Sequence, residues 1–385
     1  MEGTRWHQVD DDLSPDQYAE IPDAQPGDTR TPDLWVRFRH PLLRKVVVSR
    51  GHYDHDGARW TARHSSVEDG DVVGTVVAMA WSRIREIQGF AFDNVSRAAT
   101  LAEPELPTVI PIIFHGNKRK PTFSGAGIVC LPLYKVIESR TGTLRYTSAD
   151  SLADRFGIAR GTKVMLTGTS TDPFLERWWS LGGRRVELIR SLLALKITLV
   201  TTPNYSLFTD QPRWDDLHSM KRIALVHQEF LGEGMPAALH VNARTERDWE
   251  RWRDFITGRP EITHIAFEFA TGAGWEGRLE WYAIQLVRLA ESVHRPLHLV
   301  VRGGTLILKR LVDAFTTVTC LESSTFIKTM RRKVAVTTSK GGLRWQHAPT
   351  EKTELLDNLL AENWSVVSAH YDQIMSGMSL SRKAA

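Results

Sequence analysis

The stretch Lys163-Val-Met-Leu-Thr-Gly-Thr-Ser-Thr-Asp172 joins a short apolar run to an abrupt polar elbow that contains a glycine. The same combination returns along the chain up to about residue 325, and an amphipathic stretch leads from each elbow to the next run. The apolar runs are Lys163–Thr167, Ile197–Thr201, Ala237–Val241, His264–Phe269, Leu297–Val301 and Thr317–Leu321. Runs rich in Val, Ile, Leu and Phe are typical of parallel strands that are buried on both faces. The repeat therefore predicts an α/β fold, a TIM-like (β/α) barrel.

A complete barrel of this kind needs eight strands, and the repeat supplies six. Either the Val109–Phe114 run or the Val334–Thr338 run must contribute, or the barrel is incomplete or irregular. Residues 1–32 are acidic and polar and predict a flexible arm. The remaining boundaries are an α+β region over 33–161, the barrel over 162–348, and a C-terminal helix and tail over 349–385. Ser148 as an N-cap and Gly157 as a stop predict a short connecting helix before the barrel.

The composition is that of a globular protein, because 42% of the 385 residues are hydrophobic and 24% are charged. No apolar run approaches the roughly 20 residues of a membrane helix, and the N-terminus lacks the features of a signal peptide. We therefore expect a cytoplasmic protein with no membrane partner.

Metal and cofactor sites are not expected. Cys130 and Cys320 lie in apolar runs without Cys/His spacing, which favours buried, inert thiols over a disulfide or a structural zinc site. The segment His52-Tyr-Asp-His-Asp56 contains metal-ligand types, but adjacent residues of a strand point to opposite faces. We interpret it as a hairpin surface turn.

Candidate catalytic residues stand at the ends of the runs, where loops build the active sites of such barrels. Glu268 lies between Phe267 and Phe269, and a buried carboxylate must be paired, hydrogen-bonded or protonated. It is either a general acid/base or the ion-pair partner of Arg302. Glu322 ends its run in the same way, and Asp172 is either a third carboxylate or the N-cap before Pro173. One ionised and one protonated carboxyl group is what cleavage at an anomeric carbon requires.

Candidate substrate-binding residues occupy the other elbows. Asn204 and Asn242 could read a base edge and Tyr205 could stack on it, although turn chemistry also favours such residues. Asp210 adds a carboxylate to the longest elbow. Arg302, Gly303 and Gly304 place backbone N–H groups beside a cation, which suits an anion such as phosphate, or else simply a tight turn.

A basic segment near the C-terminus suggests nucleic acid as a partner, with DNA favoured over RNA. No carboxylate occurs between Ser323 and Ala348. The segment also contains two aromatic residues, Phe326 and Trp345, that could stack on bases, although a solvated basic face would have the same composition. Its cations are Lys328, Arg331, Arg332, Lys333, Lys340 and Arg344.

The elbow Thr202-Pro-Asn-Tyr-Ser-Leu-Phe-Thr-Asp-Gln-Pro212, with Ile110-Pro-Ile-Ile upstream, resembles an uncharacterised family of bacteria and phages that has no settled activity. More broadly, Phe267-Glu-Phe269 and Val301-Arg-Gly-Gly304 within the repeat resemble the tRNA-guanine transglycosylase superfamily over about Lys163 to Arg332. In that superfamily a strand-end aspartate attacks C1′ while the base lies in the barrel mouth. The CxCxxC…His zinc site of the superfamily is missing here. The resemblance therefore implies a zinc-free relative that excises a base from DNA, of a kind that serves antiviral defence.

Three functional hypotheses follow. The first is a DNA glycosylase-type enzyme that flips a base into the barrel mouth and either hydrolyses or exchanges it. The second is a non-catalytic nucleic-acid-binding module for replication or plasmid maintenance. The third is a sugar-phosphate barrel enzyme. The sequence leaves the base and the oligomeric state open.

Overall fold

A computed structural model describes strands at 34–40, 45–53 and 60–62 and residues 81–382, except 121, 139, 209–211, 271–276, 340 and 352. Within these limits the chain forms two compact units. The first comprises Met1–Ser96, Tyr205–Leu225 and Asn242–Phe255. The second comprises Arg97–Asn204, Val226–Val241 and Ile256–Ala385. The predicted acidic arm, residues 54–56 of the histidine-rich turn, Asp210 and Lys340 lie outside the described residues.

The first unit contains a three-stranded antiparallel sheet and a short helix. The strands are β1 (Leu34–His40), β2 (Lys45–Tyr53) and β3 (Trp60–Ala62), and helix α1 covers residues 81–86. His52 and Tyr53 belong to β2, so the first two residues of the predicted turn lie in a strand.

The second unit contains an eight-stranded parallel sheet in the order β4-β13-β12-β11-β10-β9-β8-β5. The sheet closes on itself, because Ile112 and Cys130 form a parallel bridge between the chain after β4 and strand β5. The predicted (β/α) barrel is therefore confirmed. Its strands are β4 (Val109–Pro111), β5 (Ile128–Pro132), β8 (Lys163–Thr167), β9 (Ile197–Thr201), β10 (Ala237–His240), β11 (His264–Glu268), β12 (His298–Arg302) and β13 (Thr317–Glu322).

Two barrel strands, β4 and β5, come from the range 33–161 that the sequence analysis assigns to a separate α+β region. The β/α rhythm is absent there, because no helix lies between them in the described residues. The Val334–Thr338 run forms β14 (Lys333–Thr337), which pairs with β15 (Leu343–His347) in an antiparallel hairpin outside the barrel sheet. A second small hairpin joins β6 (Ile137–Glu138) and β7 (Thr143–Leu144).

Helices follow the elbows of the repeat from β8 to β13. Helix α3 is capped by Ser148 at its start and ends at Gly157 in the left-handed conformation, as predicted. The helices after α1 are α2 (Leu133–Val136), α3 (Ala149–Phe156), α4 (Asp172–Ser180), α5 (Arg184–Leu193), α6 (Arg213–Gly232), α7 (Glu246–Thr257), α8 (Arg278–Val293), α9 (Leu308–Ala314), α10 (Ser324–Met330) and α11 (Asp357–Arg382). Among the described residues, no helix has both the length and the apolar character that crossing a bilayer requires.

The barrel interior has an apolar layer with a polar layer beyond it. The apolar layer includes Met165, Leu199, Ala238, Ala266 and Val300. Since side chains of a strand alternate between faces, the residue two positions further on points into the same interior. At the C-terminal ends of the strands, which we call the barrel mouth, these residues are Thr167, Thr201, His240, Glu268 and Arg302.

Candidate active site at the barrel mouth

Glu268 is the last residue of β11, and its side chain is 4% exposed. One carboxylate oxygen accepts a hydrogen bond from the backbone N–H of Ala270 at 2.9 Å, and the other lies 3.3 Å from Nη1 of Arg302. The Thr169 hydroxyl, from the loop after β8, also donates to the carboxylate. Burial raises the pKa of Glu268 above its ordinary value, although Arg302 and the hydrogen bonds oppose that shift.

Arg302 lies directly beside Glu268, because the two residues are register partners on the neighbouring strands β12 and β11. Its side chain is 26% exposed, so the guanidinium group reaches solvent at the mouth. Its Nε is buried and has no acceptor among the described residues. Arg302 therefore keeps a hydrogen-bond donor and a positive charge for an anionic ligand.

His240, the last residue of β10, was not predicted from the sequence. Its Nδ1 lies 2.6 Å from the carbonyl oxygen of Thr202, so Nδ1 carries the proton and donates it, and Nε2 keeps a lone pair. Burial lowers the pKa of His240 to about 4. His240 is therefore neutral at physiological pH, and its register partner Ala266 lies two residues before Glu268.

The loop after β8 packs tightly against the end of β9. Gly168 donates its backbone N–H to the Thr201 hydroxyl at 3.0 Å. A β-carbon at Gly168 would lie 2.5 Å from the Thr201 carbonyl oxygen and 2.6 Å from the Pro203 nitrogen, so any side chain would force the backbone apart. The glycine thus allows the close approach that carries Thr169 to Glu268.

Gly303 and Gly304 have φ values of +80° and +73°, which favour glycine. A β-carbon at Gly303 would lie 2.8 Å from the Ala270 nitrogen, and one at Gly304 would lie 2.8 Å from the Phe269 ring. This crowding accounts for the Gly-Gly pair as a tight turn. The segment after it is a single 3-10 turn, Thr305–Ile307, and α9 spans seven residues.

The other two predicted catalytic carboxylates are placed differently. Glu322 accepts hydrogen bonds from the backbone N–H groups of Ser324 at 2.6 Å and Thr325 at 2.9 Å, so both its oxygens hold the start of α10. Its neighbour Leu321 points into the barrel, so Glu322 points out of it. Asp172 is exposed at the start of α4, where Thr171, not Asp172, is the N-cap residue. The structure does not bring Glu322 to Glu268.

Two of the predicted base-binding residues, Tyr205 and Asn242, make contacts within the protein. Tyr205 is 1% exposed, and the Arg222 guanidinium lies 4.0 Å from its ring centroid, so the ring offers no open stacking surface. The Asn242 side-chain amide donates to the Tyr205 carbonyl at 2.9 Å. Both residues belong to the first unit, whereas Asn204, which is half-buried, belongs to the second. Asp210 lies outside the described residues.

The predicted basic segment runs from α10 through the β14–β15 hairpin. Lys328 is in α10, Arg331 and Arg332 follow its C-terminus, Lys333 begins β14, and Arg344 is in β15. Helix α10 starts just after β13, so the cations at its C-terminal end lie away from the barrel mouth. Phe326 is 2% exposed and packs on Phe114, which removes it as a stacking surface.

Metal-binding potential is absent from the described residues, where no group of His, Cys, Asp or Glu side chains could hold a metal ion. Both cysteines are free and buried. Burial raises the pKa of Cys320 to about 12, which makes its thiol a poor nucleophile.

Comparison with known proteins adds little about the chemistry. No family model matches the chain, and no curated protein is similar to it. One similar solved structure is described as a putative sugar phosphate isomerase/epimerase from Anabaena variabilis ATCC 29413. The two are 11% identical with a TM-score of 0.35, and the match covers 70% of this chain and 100% of that one. The barrel assignment rests on the strand order described above.

Proposed function

We propose that the second unit is a barrel enzyme that moves a proton on a small, hydroxylated, anionic substrate, for which a sugar phosphate is the fitting class. The observation that carries the proposal is the interior polar layer. It places a buried carboxyl group of raised pKa, Glu268, near a neutral imidazole, His240, and beside the cation Arg302. Neighbouring groups whose environments push their pKa values in opposite directions are typical of acid/base sites.

Each residue has a separate role in this proposal. Glu268 exchanges a proton with the carbon next to a substrate carbonyl, because its raised pKa brings it closer to neutral pH. The Nε2 lone pair of His240 accepts a hydrogen bond from a substrate hydroxyl and orients it. From the strand geometry, the Cα atoms of His240 and Glu268 are about 8 Å apart, which leaves room for a substrate between their side chains. Arg302 holds the anionic group through its Nε and its exposed face.

Deuterium exchange tests the proposal directly. Three- to six-carbon ketose phosphates are incubated with the protein in D2O, and NMR measures deuterium at the carbon next to the carbonyl. We expect exchange with at least one phosphorylated ketose and much slower exchange with the unphosphorylated ketoses. Absence of exchange across the whole series would contradict the proposal.

Cleavage of an N-glycosidic bond is a second candidate. The raised pKa of Glu268 supports it, because a protonated carboxyl group can assist departure of a base. Asp172, exposed at the start of α4, could supply the second carboxylate. A gel assay for abasic sites on modified and unmodified DNA separates the candidates. Abasic sites formed by the native chain but not by Glu268→Gln would favour this second function.

A further inference from the structure

The β14–β15 hairpin and residues 328–332 before it, which we call the basic hairpin, carry positive charge and no carboxylate of their own. The chain has 45 carboxylates in 385 residues, so 28 residues of average composition would contain about three. Residues 323–350 contain none. The preceding carboxylate, Glu322, uses both oxygens to hold the start of α10. No acidic side chain within the segment can therefore neutralise it.

Four cations of the basic hairpin also lack an ion-pair partner among the described residues. Lys328, Arg331, Lys333 and Arg344 form no ion pair with any described residue. Several surface arginines elsewhere do pair closely with carboxylates, as in Arg160–Asp154 at 2.7 Å and Arg145–Glu138 at 2.8 Å. A cluster of like charges without counter-charges is unfavourable by itself and attracts an anionic partner.

The register of the hairpin spreads these charges along a ribbon. Lys333 lies opposite His347 at one end, and Arg344 lies opposite Val336 three residues further along. Three residues of an antiparallel strand span about 10 Å. Arg331 and Arg344 are exposed, and Lys328 and Lys333 are partly exposed. Lys333 shares a face with Ala335 and Arg344 stands on the other face, so these cations can reach phosphates on both sides of the ribbon.

Uncharged groups attach the basic hairpin to α11. The Asn363 side chain accepts a hydrogen bond from the Ala335 N–H at 2.7 Å and donates to the Lys333 carbonyl at 2.8 Å. An amide fixes the ribbon here without supplying a negative charge. Ala335 is 3% exposed, so this face of the ribbon is covered. Arg344 stands on the opposite face, because its partner Val336 follows Ala335 in the strand.

We infer that the basic hairpin binds the phosphate backbone of double-stranded DNA without reading its sequence. Single strands are bound largely by stacking their bases on aromatic rings. Phe326 is buried under Phe114, and Trp345, the register partner of Ala335, lies on the covered face of the ribbon. Contact with phosphates alone suits a duplex, whose bases are already stacked. This function is independent of the chemistry proposed for the barrel mouth.

Fluorescence polarisation with a labelled duplex of about three helical turns tests the inference on the full chain. Binding should weaken with salt, and the variant with Arg331→Ala, Lys333→Ala and Arg344→Ala should lower the log–log salt slope by about two to three, since each lost phosphate contact removes about 0.9. The matched control removes three exposed arginines elsewhere through Arg140→Ala, Arg155→Ala and Arg177→Ala. It should keep the native slope.

A double variant, Arg331→Gln with Arg344→Gln, changes only exposed side chains and should therefore fold as the native chain does. Its melting temperature checks that it is folded. It should lower the slope by about two. Three results would overturn the inference. They are no duplex binding by the native chain, equal losses in the basic-hairpin variant and the matched control, and binding to anionic phospholipid vesicles or single strands without binding to the duplex.

Discussion

Glu268 ends β11 and Glu322 ends β13 in similar apolar surroundings, yet the two side chains point to opposite faces of the barrel sheet. Glu268 follows Ala266 by two residues and shares the barrel interior with it, whereas Glu322 follows the interior residue Leu321 by one. A shift of a single position therefore separates a side chain at the barrel mouth from one that holds a helix. The role of a strand-end residue depends on this alternation more than on its type.

Gly168→Ala is predicted to uncouple the loop after β8 from the site. The added β-carbon would lie 2.5 Å from the Thr201 carbonyl oxygen, so the loop must move and withdraw the Thr169 hydroxyl from Glu268. We expect the free energy of unfolding to fall by about 1–3 kcal/mol, as for overpacking of a tight site. The pKa of Glu268 should rise further, since a hydrogen bond that lowers it is lost.

Urea unfolding measures the free energy of unfolding, and NMR of the glutamate carboxyl groups measures the pKa of Glu268. Gly127→Ala is the matched control, because a β-carbon there meets nothing within 4 Å. A Gly168→Ala protein as stable as the control would show that the close approach at β9 is not needed.

The sequence predicted part of the candidate site for a physical reason. Glu268 was found because a carboxylate between two phenylalanines is anomalous in any buried strand. His240 was missed because it lies inside the apolar run Ala237–Val241, and buried parallel strands show no alternation of polar and apolar residues that would reveal which face is interior. Tyr205 was misjudged because burial of an aromatic ring after a strand depends on packing partners distant in sequence, here Arg222.

At the scale of elements, each repeat with its elbow in the Lys163–Thr325 region was predictable because strand and helix alternate strictly there. The Val109–Phe114 run, one of two candidates for a further barrel strand, supplies β4. Strand β5 was not recognised as a barrel strand, because the chain between β4 and β5 has no described helix. The Val334–Thr338 run was ambiguous because an apolar run alone does not specify a parallel or an antiparallel partner. The position of each of these strands in a sheet depends on pairing with residues distant in sequence, which local patterns do not encode.

Asn363→Ala is predicted to loosen the hairpin from α11. Asn363 is fully buried and makes three side-chain hydrogen bonds, with Thr329, Lys333 and Ala335. Their loss leaves buried backbone groups unsatisfied and should lower the free energy of unfolding by about 2–4 kcal/mol. Faster hydrogen exchange at the Ala335 amide is the direct readout. Asn358 is exposed on the same helix, so Asn358→Ala should change neither the free energy of unfolding nor the exchange rate. If the Ala335 amide of Asn363→Ala were protected as well as in the native protein, the role of Asn363 would be refuted.

At the scale of the whole molecule, buried titratable groups give stability a maximum at about pH 7. Burial lowers the pKa of His227 and His240 to about 4 and of His218 and His264 to about 3. Such histidines stabilise the fold fully above the unfolded-state value of about 6.5 and less as the pH falls below it. Burial beside Asp248 raises the pKa of Asp216 to about 8, so its stabilising effect is present at low pH and is lost as the pH rises toward 8.

Between pH 6.5 and 5 the histidines outnumber the opposing acids, so the urea midpoint should fall steeply on acidification. Each proton taken up on unfolding contributes about 1.4 kcal/mol per pH unit. Above about pH 7 Asp216 dominates, and the midpoint should decline gently. Asp216→Asn should abolish that gentle decline. A midpoint that stays constant from pH 5 to 8 would contradict these assignments.

The measurement that tests the central claim most directly compares Glu268→Gln with Glu322→Gln in the deuterium-exchange assay. Both variants replace a buried strand-end carboxylate by an amide of the same shape. Glu268→Gln should melt near the native temperature and lose at least about a hundredfold in exchange rate, the typical contribution of an acid/base group. Glu322→Gln should melt lower and exchange at the native rate per folded molecule. Native exchange by folded Glu268→Gln would contradict the assignment of the barrel mouth as the active site.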